Sequence, residues 1–170
     1  MTANDQQLVF KQWLSEYKAL IFKVIKAYAF TVMDQEDLFQ EIVFQLWKSF
    51  PTFRHESKVS TWMYRIALNT AISDLRKKKH HIITTEPEGL PDGIDDIQNY
   101  QEKEEKLKQL YAAISQLTEI EKAIVMLYLE DRSYDEMEDI LGINQNNLRV
   151  KMNRIKDKLR KLTKAVEYGS

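Results

Sequence analysis

Residues 133–162 read SYDEMEDILGINQNNLRVKMNRIKDKLRKL. Ser133 with Glu136 three places on is the spacing of a capping box, in which serine oxygen and glutamate each satisfy a free amide donor of the other. It predicts a helix starting there. Gly142 ends that helix, because glycine takes the left-handed conformation that closes a last turn, and Asn144 offers a second N-cap two residues later. Helices joined by so short a turn are expected to cross steeply.

The second of these helices sorts its residues by face. At about 100° per residue, Leu148, Met152, Ile155, Leu159 and Leu162 form one narrow apolar stripe that belongs on a core. Asn146, Val150 and Asn153 lie opposite, flanked by Arg149 and Arg154, with Asn147 at the helix start. Between Gly142 and Lys164 the basic residues are Arg149, Lys151, Arg154, Lys156, Lys158, Arg160, Lys161 and Lys164, against Asp157 alone. Such a charge excess is a phosphate-binding footprint, and Asn or Arg near a helix start suits base edges in the major groove. A basic run alone would fit a solvated face. Cap, glycine, second cap and stripe together predict a helix-turn-helix reader of duplex DNA.

Composition constrains the rest. In 170 residues, 25 Lys and Arg stand against 26 Asp and Glu, a net charge of −1 that does not by itself suggest a nucleic-acid protein. Its distribution does: residues 80–106 carry eight acids against Lys103 and Lys106, between basic neighbours. Without cysteine there are no disulfides and no thiolate metal sites, and no leader-like or membrane-spanning apolar stretch is visible, so no membrane insertion and a cytoplasmic location are expected.

Low glycine and proline content and apolar spacings of three and four predict an all-α chain. Pro87, Gly89, Pro91 and Gly93 cluster in the acidic stretch and mark it as a tether. Two small helical domains are therefore expected, at residues 1–79 and 101–170, joined by a flexible acidic linker over residues 80–100.

In the first domain, Phe10, Trp13, Tyr17, Leu20, Ile21, Val24 and Tyr28 predict one long helix packed on a core. A second helix is expected from Asp34 to just before Pro51, burying Leu38, Phe39, Ile42, Val43, Leu46, Trp47 and Phe50. Phe44 falls instead among Asp37, Gln40, Glu41 and Lys48 on the wet face. Single exposed aromatics are common, but here the acids around one suggest a protein-docking surface with Phe44 as anchor. Asp34, Asp37 and Glu41 could also be metal ligands; no histidine accompanies them on the helix, so no metal and no cofactor are expected.

After Pro51 a polar loop, TFRHESKVSTW, leads to a third helix that Ser60 or Thr61 is placed to cap. Tyr64, Ala67, Leu68, Ala71 and Leu75 take its core side. Trp62, Arg65, Asn69, Ser73 and Arg76 take the other, ending in Lys77, Lys78 and Lys79. A ring followed by cations and an amide along one stripe fits single-stranded nucleic acid, with the ring stacking on bases and the cations tracking phosphates. An interface tryptophan beside a solvated basic end fits the same letters.

Residues 37–44 (DLFQEIVF), 60–69 (STWMYRIALN) and 74–76 (DLR) resemble regions 2.2 to 2.4 of the sigma-70 family of bacterial RNA polymerase sigma factors, and the stretch from Leu117-Thr118 through the helix-turn-helix resembles region 4. Short length, with no globular regions 1.1 or 3, points to the extracytoplasmic-function (ECF) group. The resemblance implies a non-enzymatic sigma factor that binds core RNA polymerase, recognises the minus-thirty-five and minus-ten elements and promotes initiation. Asp37, Gln40, Glu41, Phe44 and Lys48 would dock on the beta-prime clamp helices. The loop with Phe53, Arg54, Lys58, Ser60 and Thr61, and the stripe Trp62, Arg65, Asn69 and Arg76, would recognise the melted minus-ten strand, capturing a base turned out of the stack. Asn146, Asn147, Arg149, Val150, Asn153 and Arg154 would read the minus-thirty-five duplex. Lys77, Lys78, Lys151, Lys158 and Lys161 would hold the DNA backbone, the last three alternatively facing the beta flap. The linker would thread the polymerase cleft, and an anti-sigma factor is a further implied partner.

The chain departs from the family's usual choices at Met137 and Glu138 and at Asn147, Leu148, Val150 and Asn153, which bears on promoter sequence rather than fold. Linker length agrees with two sites: about twenty extended residues at ~3.1 Å each span ~60 Å, close to two duplex turns of ~34 Å. Two other readings stand beside this one. A stand-alone helix-turn-helix repressor or activator leaves Phe44 and the Trp62 stripe unexplained. A helical enzyme would use Asp34, Asp37 and Glu41 with His55 or with His80 and His81, which lack ligand spacing with those acids.

Overall fold

The structure, a computed structural model, describes residues 2–81 and 103–168. Eight α-helices and one 3-10 turn make up the regular structure among the described residues. The chain divides into two compact units, Met1–Gly89 and Leu90–Ser170. The acidic tether expected over residues 80–100 lies, beyond residue 81, outside the described residues.

In the first unit, α1 (Ala3–Glu16) starts at a Thr2–Asp5 capping box: the Thr2 hydroxyl accepts from the Asp5 amide and the Asp5 carboxylate accepts from the Thr2 amide. Tyr17, at φ −104° and ψ 20°, separates α1 from α2 (Lys18–Tyr28). The single long helix expected over Phe10 to Tyr28 is thus two, although the apolar stripe continues across the break: Leu20, Ile21, Val24, Ile25 and Tyr28 are buried.

Helix α3 (Val32–Ser49) opens two residues before the expected Asp34, because Thr31 caps it by accepting from the Asp34 amide at 3.0 Å. Pro51 then lies in a 3-10 turn, Phe50–Thr52. Helix α4 (Val59–His81) begins two residues earlier than a Ser60 cap would allow, so Ser60 and Thr61 lie inside its first turn. Helices α2, α3 and α4 pack on one another around Val24, Leu38, Ile42, Leu46, Tyr64, Ala67 and Leu68, all at most 1% exposed.

The second unit comprises α5 (Lys103–Ser115), α6 (Glu119–Leu129), α7 (Tyr134–Leu141) and α8 (Gln145–Tyr168), with α8 packed on the other three. Thr118 caps α6 in a reciprocal box with Glu121. Its core gathers Ile124, Leu127, Met137, Ile140, Leu148 and Ile155.

Candidate functional site

The turn between α7 and α8 is built as its sequence requires. Ser133 Oγ accepts from the Glu136 amide at 3.1 Å, Gly142 closes α7 at φ 71°, and Asn144 Oδ1 accepts from the Asn147 amide at 2.9 Å. Only half of the expected capping box forms: the Glu136 carboxylate takes Arg132, 3.3 Å away, instead of the cap amide. Leu148, Met152 and Ile155 are buried, which turns Asn146, Asn147, Arg149, Val150, Asn153 and Arg154 outward. One exposed face of α8 therefore carries every residue the sequence nominates for the duplex.

Two neighbours of that face escaped the sequence reading. Tyr134 lies 5.0 Å from the Arg149 guanidinium, and Gln145 donates to the Asp135 carboxylate at 3.1 Å. Of the proposed backbone cations, Lys151 and Lys161 are exposed, whereas Lys158 Nζ sits 3.2 Å from Glu121. Burial pushes Glu121 up, but the Thr118 amide, Lys158 and the Thr118 hydroxyl together hold its carboxyl below the usual range. Lys158 is thereby engaged inside its own unit.

In the first unit, Asp37, Gln40, Glu41 and Lys48 are exposed and Phe44 is 57% exposed. Phe44 is not isolated, however. Phe39 and Trp47, expected in the core, are 37% and 39% exposed, and with Val43 and Phe44 they face Phe10 and Leu14 of α1 across an apolar groove. The stripe assigned to the core of α3 was too wide: Leu38, Ile42 and Leu46 alone seal the interior, and α1 covers the next residues only in part.

The expected single-strand surface divides. Arg54, Lys58, Arg65, Asn69, Arg76 and Lys77 are exposed, while Ser60 and Phe53 are half-buried. Thr61 and Trp62, at 5% and 7%, are buried. Trp62 does not project as a stacking platform, because the first turn of α4 faces Trp13 and Phe53, whose ring centres lie 6.0 and 5.0 Å from its own. Lys78 is likewise held within the unit, 2.9 Å from Asp34 and 3.4 Å from Asp74. The Lys78 hydrogen bond, against the opposing effect of burial, keeps Asp34 below its usual range.

That pairing also removes Asp34 from the metal-ligand set considered with Asp37 and Glu41. His55 packs 4.6 Å from Phe53, and among the described residues no group of three His, Asp or Glu side chains is arranged to hold a metal ion. No described helix is long and apolar enough to cross a membrane. Along the α3–α4 junction, Glu41 and Gln45 face Asn69, Ser73, Asp74 and Lys77 across a polar groove. Residues nominated for protein docking thus adjoin residues nominated for DNA.

Comparison with known proteins matches both units. The sigma-70 region 2 family model covers residues 13–81 and the sigma-70 region 4 model covers residues 107–159. The chain is 26% identical to RNA polymerase sigma factor SigV of Bacillus subtilis, over 83% of this chain and 82% of that protein. It is also 26% identical to the ECF RNA polymerase sigma factor SigW of the same organism, over 93% and 90%. Among solved structures, it is similar in fold to the sigma factor RpoE of Bartonella quintana, crystallised with the anti-sigma factor NepR, at a TM-score of 0.66 and 19% identity, covering 91% of this chain and 96% of that one. CnrH, in complex with the cytosolic domain of CnrY, gives a TM-score of 0.65 at 17% identity, covering 94% and 90%.

Proposed function

The chain belongs to the sigma-70 family of RNA polymerase sigma factors, in its ECF group, and is an alternative sigma factor for transcription initiation; from that premise we propose how its residues divide the work. Asp37, Gln40, Glu41, Phe44 and Lys48 on α3 dock on the beta-prime clamp helices of core polymerase. Phe44 is the apolar anchor and the carboxylates meet basic groups of the partner. Phe39 and Trp47 extend the anchor along the same groove.

Arg54, Lys58, Arg65, Asn69, Arg76 and Lys77 engage the melted minus-ten strand through phosphates and base edges, with Phe53, Ser60, Thr61 and Trp62 shaping the surface from beneath. Asn146, Asn147, Arg149, Val150, Asn153 and Arg154 read the minus-thirty-five duplex, and Lys151 and Lys161 hold its backbone or face the beta flap. Residues 1–79 and 101–170 act as the two functional domains, and residues 80–100 thread between them. The protein performs no chemistry of its own: binding energy spent on the open strand favours melting, and synthesis belongs to the polymerase. It works in the cytoplasm, and the structure of RpoE bound to the anti-sigma factor NepR supports an anti-sigma factor as its regulator.

The observation that carries this reading is the α3–α4 junction, where Glu41 and Gln45 face Asn69 and Lys77. It would bring the melted strand next to the polymerase contact, where opening must occur. The test is reconstitution of the chain with bacterial core polymerase on a library of promoters randomised at both elements. Specific initiation above core alone, enriching one spaced pair of elements, is the expected result; duplex binding without any polymerase-dependent initiation would overturn the proposal. Family membership in both units leaves the stand-alone repressor or activator without support.

A further inference from the structure

The loop between the 3-10 turn and α4 has no regular structure of its own, and its backbone is unusual. His55 sits at φ 58°, in the left-handed region that non-glycine residues rarely adopt. Main-chain hydrogen bonds at its ends run from the Phe53 amide to the Phe50 carbonyl and from the Trp62 amide to the Lys58 carbonyl. Between those ends, side-chain packing shapes the loop.

The rings supply it. Phe53 lies 4.6 Å from His55 and 5.0 Å from Trp62. One ring from outside the segment touches all of these: Trp13 of α1 approaches Phe53 at 5.5 Å, His55 at 6.3 Å, Trp62 at 6.0 Å and Phe50 at 5.2 Å. The four interplanar angles lie between 72° and 89°, the edge-to-face arrangement aromatic pairs favour. Trp13 therefore joins the 3-10 turn, the loop and the first turn of α4 at one point.

We infer that Trp13 is a positioning residue for the strand-reading loop: by closing this ring cluster it fixes the left-handed turn at His55, and so sets Arg54 and Lys58 on either side of it toward nucleic acid. The inference rests on the proposed role of that loop at the minus-ten element. It assigns α1 a part in promoter opening that its sequence, read as a simple core stripe, did not suggest.

The test compares full-length wild type with Trp13→Ala, Trp13→Phe and Phe53→Leu. Amide hydrogen exchange of Phe53 and Trp62, the amides bonded at the two ends of the loop, is measured on the free protein, and core-polymerase affinity and open-complex yield are measured on the best promoter from the randomised library. Trp13→Ala is expected to speed exchange at both amides at least tenfold while α2 and α3 stay protected. It should keep core affinity within threefold and lower open-complex yield at least tenfold. Trp13→Phe, which restores an edge-to-face ring, should recover most of both losses. Unchanged loop exchange and unchanged opening in Trp13→Ala would overturn the inference. If Trp13→Ala fails to fold, Phe53→Leu removes the loop's own ring, and its loop exchange decides the same question. If wild type opens no promoter, the minus-ten reading fails, while the exchange result still reports on whether Trp13 holds the loop.

Discussion

The Arg149 guanidinium lies 5.0 Å from the centre of the Tyr134 ring, joining the first residue of α7 to the exposed face of α8. A cation over an aromatic face at an accessible site is worth about 0.5–1 kcal/mol. In the duplex role proposed for Arg149, its larger effect would be to restrict a long side chain before binding. Tyr134→Ala is expected to weaken binding to a duplex carrying the selected minus-thirty-five element by roughly two- to fivefold, and Tyr134→Phe to change it little. Fluorescence anisotropy with both variants checks this; equal losses would point to the hydroxyl instead.

The α8 lysines should separate by salt dependence. Each phosphate contact contributes about 0.9 to the slope of log K against log salt. Lys151→Gln is expected to lower the slope by about that amount. Lys158→Gln should leave it nearly unchanged, because Lys158 is paired with Glu121 at 3.2 Å. Titrations of the variants with minus-thirty-five duplex at several salt concentrations distinguish the two.

Lys78 ties the start of α3 to α4 through Asp34, at 2.9 Å, and also reaches Asp74 on its own helix. Because the folded state depresses the pKa of Asp34, the pair's contribution is complete above the ordinary carboxylate range and is lost as pH falls through the depressed value. Burial opposes the charge on Lys78, but its carboxylate partners raise its pKa overall. The contribution on that side is full below the ordinary lysine value and lost as pH rises through the raised one. Lys78→Met is expected to cost about 0.5–1 kcal/mol at neutral pH, since both groups are about a third or more exposed. The cost should shrink in strong acid and be smaller in high salt, as thermal unfolding across pH would record.

Gly142 holds the turn at φ 71°, and a Cβ there would meet no atom within 4 Å. Gly142→Ala should therefore cost only backbone strain, about 1–2 kcal/mol, and Gly142→Asn less. Denaturant midpoints measure both; a much larger loss would mean that the turn depends on something besides conformation.

The contrast between these regions shows what a sequence discloses. Ser133, Gly142 and Asn144 act on backbone groups within a few residues, so their roles were legible from order alone, and the stripe from Leu148 to Ile155 needed only helical period. Trp62 was misplaced because period gives the faces of α4 without saying that its first turn meets Trp13 and Phe53. Phe39 and Trp47 were placed too deep for a related reason: how far α1 covers α3 is a tertiary fact. The break at Tyr17 has no glycine or proline to announce it, and the Asp34–Lys78 pair joins residues 44 apart in the chain.

The measurement that bears most directly on the account is affinity for bacterial core RNA polymerase, with wild type beside Phe44→Ala and the Glu41→Ala, Phe44→Ala double variant. A buried aromatic anchor is worth about 2 kcal/mol or more, so Phe44→Ala should lose at least tenfold in affinity and the double variant more, with helical content and unfolding temperature unchanged. Wild type that ignores core polymerase, or folded variants that bind it as tightly as wild type does, would contradict the docking face on which the account depends.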